Sequence, residues 1–277
     1  GWGWDLHANS CITRAGQTIY HDGRMTSADL SVNDRFLLDG KRLILINGNY
    51  GLIGSEYKTE NDCMSRIRFL QDNNENDNTN DRSGTYFKVW DRTGNILEYR
   101  DKLLSPDGTK VIMWMLSNIT DRYGNSIQYH YNTNNETGEI QLGDIEYTIN
   151  ENQNEQAQFR VQFFYKSYRE DYERYFIGGC QLYHRDLLLN IKVINLDSGL
   201  PVCIYHFNYI EELSGNQNRL YHILSSIDKK IYDEDGNYEK YNSTTITWDD
   251  TPPSAAELYP ILNSSILEDF PFTRSEE

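Results

Sequence analysis

The chain has 277 residues, and its 26 basic and 42 acidic side chains give a formal net charge of −16 at pH 7. This acidic balance, with no cluster of Lys and Arg, disfavours nucleic acids and anionic membranes as partners, because both attract a basic surface. No apolar run approaches the ~20 residues that cross a bilayer. We therefore expect no nucleic-acid partner and no membrane span.

Apolar and polar residues alternate in several short stretches, which is the pattern of half-buried β-strands. The clearest cases are residues 145–149, 161–165 and 203–209. Dipeptides typical of hairpin turns, such as Asp22-Gly23, lie between such stretches. Only residues 60–70 show a short pattern compatible with a helix. The sequence predicts an all-β fold, a twisted antiparallel sheet built from successive hairpins.

Two consecutive prolines, Pro252 and Pro253, end the last strand pattern because proline cannot continue a hydrogen-bonded ladder. We expect a β module over residues 1–250 and a linker or docking tail over 251–277 that leads towards a missing domain. The chain opens on glycine without a signal-peptide pattern, which indicates a processed or excised chain. As part of a larger shell it would leave a sheet edge open, near residues 2–12 or 244–253.

The pattern D-x-x-G-N-x-x-x-Y occurs three times. Asp at the first position of a type I turn accepts backbone N–H groups, and Gly at the fourth adopts the left-handed conformation of a hairpin corner. The Tyr that follows is expected on one face of a sheet, and the third copy near a sheet edge. Chance occurrence in an Asn-rich β protein is the alternative explanation. The copies are Asp91, Gly94, Asn95 and Tyr99; Asp121, Gly124, Asn125 and Tyr129; and Asp233, Gly236, Asn237 and Tyr241.

The segment from Asp121 to Tyr131, followed by Ile145-Glu146-Tyr147, resembles the YD repeat of RHS proteins, whose repeats form long spiralling sheets of hairpins. Further motifs resemble the N-terminal module shared by the SpvB virulence proteins and the B components of insecticidal toxin complexes. Together they cover about residues 1–249. They include Gly3-Trp4-x-Leu6, Asp34-Arg35-Phe36-x-Leu38-Asp39-Gly40, Tyr86-Phe87-x-Val89-Trp90, Trp114-x-Leu116 and Arg219-Leu220-x-x-Ile223.

This resemblance implies an open shell segment, a non-catalytic scaffold that packages or presents a toxin or effector domain. The implied partners are further shell segments, a toxin domain of the full-length protein or a C-type component. The implied location is secreted or on a bacterial cell surface. The ADP-ribosyltransferase activity of SpvB is not implied, since Arg274 and the Ser275-Glu276-Glu277 end lack the strand context of that enzyme.

We expect no catalytic, cofactor-binding or metal-binding residues. The six histidines lack a metal-ligand spacing, and Cys11, Cys63, Cys180 and Cys203 lack C-x-x-C pairs. A buried free thiol is the favoured interpretation of Cys203. The polar loop over residues 72–81 departs from the calcium-loop pattern.

A carbohydrate-binding cell-surface module is the alternative function, with glycans as partners. Aromatic rings together with Asp and Asn are the side chains that stack on sugars and bond to them. Strand positions favour core packing for most of the tryptophans Trp4, Trp90, Trp114 and Trp248.

Overall fold

The structure is a computed structural model that describes residues 6, 10–61, 64–72, 84–166, 172–214 and 219–248. By compactness the chain divides into a unit Gly1–Thr245 and a unit Ile246–Glu277. Every strand and helix given below lies in the first unit. The predicted boundary at residue 250 falls outside the described residues and stays a prediction.

The first eight strands close into an antiparallel barrel. They are β1 (Cys11–Ala15), β2 (Arg35–Leu38), β3 (Lys41–Asn47), β4 (Glu56–Thr59), β5 (Arg66–Gln71), β6 (Thr85–Trp90), β7 (Ile96–Leu104) and β8 (Val111–Thr120). Each pairs with the next, and β1 also pairs with β8, with Ile12 opposite Trp114. A helical turn, α1 (Ile19–Asp22), lies between β1 and β2. Residues 66–70 of the short stretch compatible with a helix lie in β5.

The sheet continues beyond the barrel through a second series of antiparallel strands. They are β9 (Asn125–Asn134), β10 (Glu139–Asn150), β11 (Phe159–Lys166), β14 (Leu187–Asn195), β15 (Pro201–Ser214), β16 (Arg219–Tyr232), β17 (Tyr238–Lys240) and β18 (Thr244–Thr245). A separate hairpin, β12 (Glu173–Ile177) and β13 (Cys180–His184), interrupts this series. The prediction of an all-β fold built from antiparallel hairpins is confirmed.

The prediction of an open edge near residues 2–12 is tested only at its end, because residues 2–5 and 7–9 lie outside the described part of the chain. Cys11 and Ile12 lie in β1, which pairs with β2 on one side and β8 on the other, so β1 itself is not an edge strand. At the other end, Thr244 and Thr245 pair with β16. Residues 249–253 lie outside the described part of the chain.

Aromatic side chains fill the barrel. The ring of Phe87, which is fully buried, lies 5.1 Å from the rings of both Phe36 and Trp114. Trp114 Nε1 donates a hydrogen bond of 3.2 Å to the carbonyl oxygen of Thr85. Such edge-to-face contacts between buried rings make the interior a packed core rather than a pore. The same cluster contains Ile12, Leu43, Tyr57, Ile67, Phe69, Val89, Tyr99, Val111 and Leu116.

Arg14 lies buried near the end of the barrel at which β8 begins. Its guanidinium lies 5.4 Å from the ring centroid of Trp114 and donates a hydrogen bond of 2.6 Å to the carbonyl oxygen of Val111. Asp34, also buried, forms an ion pair with it at 3.5 Å. The charge of Arg14 is therefore compensated inside the protein, as a buried charge requires.

The β12–β13 hairpin packs on a second apolar cluster on β7 and β8. Leu182 of β13 is fully buried against this surface. A Cβ atom added at Gly178, in the turn of the hairpin, would lie 2.4 Å from the side chain of Leu30. The hairpin is thereby held against the barrel. The barrel residues of this cluster are Leu103, Ile112, Met113 and Met115.

Truncation of a central barrel ring tests this packing. Phe87→Ala should lower the free energy of unfolding by about 3–5 kcal/mol, because it leaves a cavity among aromatic rings. Phe164→Ala is the matched control, since that ring is 44% exposed and its loss should cost below ~1 kcal/mol. Chemical denaturation followed by circular dichroism measures both. Equal costs would contradict a packed interior.

Candidate functional site: hairpin corners and a two-faced sheet

The three repeated motifs form corners with the same hydrogen bonds. At Asp121, the side chain accepts the backbone N–H groups of Tyr123 at 2.8 Å and Asn125 at 2.9 Å, and the Asn125 amide at 2.8 Å. Asp91 and Asp233 accept the same three kinds of hydrogen bond in their own corners. Each carboxylate thus satisfies the backbone donors of a turn that links two strands.

The glycine of each corner has a positive φ angle, as this turn requires. The values are 91° for Gly94, 86° for Gly124 and 84° for Gly236. Residues with a Cβ atom rarely adopt this conformation, so glycine is needed here for backbone reasons.

The tyrosines that end the motifs have different surroundings. Tyr99 is buried in the barrel, and its hydroxyl lies 2.9 Å from Ser10 Oγ. Tyr129 is half-buried at the edge of the same core, whereas Tyr241 is 53% exposed and directly follows the short strand β17. The motif fixes the corner, and the neighbouring strands decide the burial of its tyrosine.

Successive corners contact each other along one end of the strands. Arg122 in the second corner donates a hydrogen bond of 2.7 Å to the carbonyl oxygen of Thr93 in the first. Asn152, in the next turn along this end, donates one of 2.9 Å to the carbonyl oxygen of Tyr123. We call this series of linked turns the corner row.

The glycines of the first two corners lie beneath these linking side chains. A Cβ atom at Gly94 would lie 3.0 Å from the Arg122 guanidinium, and one at Gly124 would lie 2.4 Å from the Asn152 amide. A Cβ atom at Gly236 would meet nothing within 4 Å. The first two corners are therefore packed, and the third is open to its surroundings.

One face of the extended sheet carries an apolar row across six neighbouring strands. In antiparallel pairs, residues directly opposite each other have their side chains on the same face. Each member of this row is opposite the next, and each is partly exposed to solvent. The row consists of Tyr129, Ile145, Val161, Val193, Cys203 and Ile231.

The other face, here called the polar face, carries a cluster of charged side chains, although Ile194 and Ile204 also lie on it. His130 Nε2 lies 4.0 Å from Asp144 Oδ1 and 3.9 Å from Glu146 Oε2. Arg160 Nε lies 3.7 Å from Asp144 and donates a hydrogen bond of 2.9 Å to Glu146. Three groups that could ligate a metal thus come together, although no metal site was expected from the sequence. The guanidinium of Arg160 already supplies a positive charge to both carboxylates.

The sequence could have indicated this cluster only in part. Asp144 and Glu146 are two residues apart on one strand, so they share a face. Their position relative to His130 and Arg160 depends on the pairing of β10 with β9 and β11, which a single sequence does not define. The cluster gives the polar face of the sheet its own ion pairs.

In the strand that follows the second corner, burial does not follow the alternation of apolar and polar residues. The alternating sequence and the regular pairing with β8 place Ile127 and Tyr129 on one face of β9 and Ser126 on the other. Ser126 is buried and Ile127 is exposed. The reason is a bulge in β10 between Glu146 and Ile149, which places Ile149 opposite Ser126 and covers it.

The other side chains that the sequence singled out differ in burial and surroundings. Trp114 is buried, and Arg66 and Lys88 lie over the ring of Trp90 at 5.5 and 5.7 Å. Cys203 is a free thiol that is only partly buried. The polar loop, Trp4 and Cys63 lie wholly or mostly outside the described residues. No helix in the described ranges is long and apolar enough to cross a membrane.

These features define a class of protein: an all-β chain in which an antiparallel barrel continues into a two-faced sheet of hairpins. Solved structures with a similar fold include parts of toxin complexes and an SpvB domain. In the crystal structure of TcdB2-TccC3-Cdc42, one chain is similar over 91% of this chain, with a TM-score of 0.67 and 15% identity. The similarity covers 14% of that longer chain.

Two further structures extend the comparison. The Photorhabdus luminescens Tc holotoxin pore matches 90% of this chain and 14% of its own, with a TM-score of 0.65 and 16% identity. The N-terminal domain of SpvB from Salmonella typhimurium matches 87% of this chain and 88% of its own, with a TM-score of 0.51 and 14% identity. No family model and no curated protein matches. The predicted resemblance to the SpvB and toxin-complex module is confirmed at the level of the fold.

The contacts of the corner row predict that a Gly→Ala substitution lowers the stability of the protein by different amounts at different corners. Gly236→Ala should cost about 1–2 kcal/mol, the cost of a side chain in the left-handed conformation. Gly124→Ala should cost ~1 kcal/mol more, because it also displaces Asn152 and its hydrogen bond. Denaturation curves measure both costs. In an Asn152→Ala background the difference should disappear, and its persistence would exclude this contact as the cause.

The corner carboxylates predict a pH dependence of stability. The hydrogen bond from the Asn125 side chain lowers the pKa of Asp121 below its ordinary value of 3.8. A lowered pKa in the folded state stabilises the protein above pH ~3.8, and this contribution disappears as the pH falls through the folded-state pKa. Wild type should therefore melt at a higher temperature than Asp121→Asn at neutral pH, with a smaller difference near pH 2.

The control for this experiment is Asp235→Asn, which changes an exposed carboxylate in another corner. Its melting temperature should follow that of wild type at every pH. A difference between wild type and Asp121→Asn that stays constant down to about pH 2 would contradict a role for the Asp121 charge.

Proposed function

We propose that the chain is a non-catalytic scaffold segment of an RHS-related, toxin-complex-like protein. In this proposal it forms part of a β shell that packages or presents a toxin or effector domain, secreted or on a bacterial cell surface. Its partners would be further shell segments, a toxin domain of the full-length protein or a C-type component. The shared fold supports this, as does the fact that the chain spans only 14% of the toxin-complex chain in the TcdB2-TccC3-Cdc42 structure.

The two-faced sheet is the observation on which the proposal rests. A wall around an enclosed polypeptide needs one face that contacts apolar groups and another that faces water. The apolar row and the ion cluster around Arg160 lie on opposite faces of the same strands, because Val161 and Arg160 are neighbours in β11. The sheet therefore presents an apolar row on one face and charged side chains on the other, as such a wall requires.

The partial exposure of the apolar row supports a partner on that face. Contiguous apolar surface is uncommon on proteins that act alone, and it marks sites where another polypeptide packs. By contrast, the polar face is stabilised by its own ion pairs. We therefore assign contact with cargo or with other shell segments to the apolar face.

The carbohydrate-binding alternative lacks a comparable observation. Of the tryptophans considered for stacking on sugars, Trp114 is buried and two cations lie over the ring of Trp90. We therefore do not carry glycans over as partners.

The proposal is tested by the binding of an unfolded polypeptide. A fluorescently labelled protein, kept unfolded by reduction and carboxymethylation, is titrated with the chain, and anisotropy reports binding. The double variant Val161→Ser, Val193→Ser removes apolar surface from the middle of the row. It should weaken binding roughly tenfold, since each Val side chain contributes on the order of 1 kcal/mol of contact.

The matched control changes the next residue of β11 and the preceding residue of β14. Gln162 and Lys192 are opposite each other on the polar face, so Gln162→Ser, Lys192→Ser alters the same two strands from the other side. This variant should bind like wild type. Equal weakening by both pairs, or no binding by the wild-type chain, would overturn the assignment. Melting temperatures confirm that both variants are folded.

A further inference from the structure

The hairpin that packs on the barrel has an unpaired outer edge. β12 pairs with β13 on one side, and no strand in the described ranges pairs with its other side. Its side chains are also open, since every residue from Glu173 to Phe176 is exposed and Phe176 is 61% exposed. Natural proteins usually protect such an edge with proline, with charged side chains or with a covering segment; β12 contains no proline, and its two charges, Glu173 and Arg174, are of opposite sign.

The turn of the hairpin determines which backbone groups this edge presents. Gly178 and Gly179 form a two-residue loop with φ angles of 58° and 79°, and Ile177 is opposite Cys180. In such a hairpin the pair next to the loop is hydrogen-bonded, and the bonded pairs then alternate along the strands. The N–H and C=O groups of Arg174 and Phe176 therefore point outwards.

The side chains of the same two residues lie on the face that points away from the barrel. Tyr175 is opposite Leu182, which is buried against β7 and β8, so its neighbours on β12 point the other way. The Arg174 guanidinium lies 6.0 Å from the ring centroid of Phe176. Exposed aromatic rings next to arginine are the groups that contribute most at protein interfaces.

We propose that β12 binds β12 of a second copy of this chain, as an antiparallel pair around a two-fold axis at Tyr175. In this register Arg174 is opposite Phe176 of the other copy, and the outward backbone groups of both residues bond across the axis. Glu173 is opposite Ile177 of the other copy. No like charges are opposed, and Arg174 approaches an aromatic ring of each copy.

The self-complementarity of the strand is the reason for a second copy as the partner. An interface around a two-fold axis uses one patch twice, so the patch must match itself. β12 does not repel a second copy of itself, since its Glu173 and Arg174 cancel although the whole chain has a net charge of −16. The contact is far smaller than the ~1,200–2,000 Å² of stable interfaces, and it therefore forms a weak dimer.

Sedimentation equilibrium of the whole chain, up to about 1 mM, measures this association. Wild type should form dimers that become more stable as salt screens the repulsion between two acidic copies. Phe176→Lys opposes two positive charges and should weaken association about tenfold, whereas Phe176→Glu opposes Arg174 and should preserve it. Tyr123→Lys, at an exposed corner residue, should have no effect.

A disulfide test defines the register. At the two-fold axis, Tyr175→Cys would bring two cysteines within the ~4.5–5.5 Å Cα separation of directly opposite residues, so it should cross-link under mild oxidation. Glu173→Cys lies on the same strand away from the axis and should not cross-link beyond the wild-type level. A chain that stays monomeric at all concentrations, equal weakening by Phe176→Lys and Phe176→Glu, or equal cross-linking at both positions would overturn the proposal.

Discussion

The arrangement of the described strands depends on β8, because two strands, β1 and β9, pair with different parts of the same edge of β8. Residues 113–115 pair with β1 and close the barrel, while residues 118–120 pair with β9 and begin the extension. The opposite edge of β8 is paired with β7 along its length. A closed core and an open, extendable sheet thus share one strand, and neither has a free edge at their junction.

The two halves are stabilised in different ways as a result. In the barrel, burial of aromatic rings around Trp114 provides the main stabilisation. The buried positive charge of Arg14 is compensated by Asp34. In the extension, most side chains stay partly exposed. Its order rests on backbone pairing, on the corner row and on ion pairs such as that of Arg160 with Glu146. A scaffold can lengthen such a sheet without enlarging a core.

Local chemistry explains what the sequence could predict. The alternation in β10, β11 and β15 is a property of consecutive residues, and the turn at Asp121 and Gly124 needs only four neighbouring positions. Barrel closure was not predictable, because Ile12 and Trp114 pair across about 100 residues without any local sign. The burial of Ser126 could not be predicted from the sequence either, since it follows from a bulge in another strand. The His130 cluster and the separate β12–β13 hairpin require the pairing of whole strands in the same way.

The distance along the chain between β1 and β8 has a consequence for biosynthesis. A ribosome delivers β1 first, and about 100 further residues must emerge before its closing partner exists. Until then the aromatic side chains of the nascent barrel are not fully buried, and one edge of β1 has no strand to pair with. Most later strands of the same sheet add beside the strand made just before them, with β14, which pairs with β11, and β18, which pairs with β16, as exceptions. Synthesis therefore has one vulnerable interval, which ends when residues 113–115 reach β1.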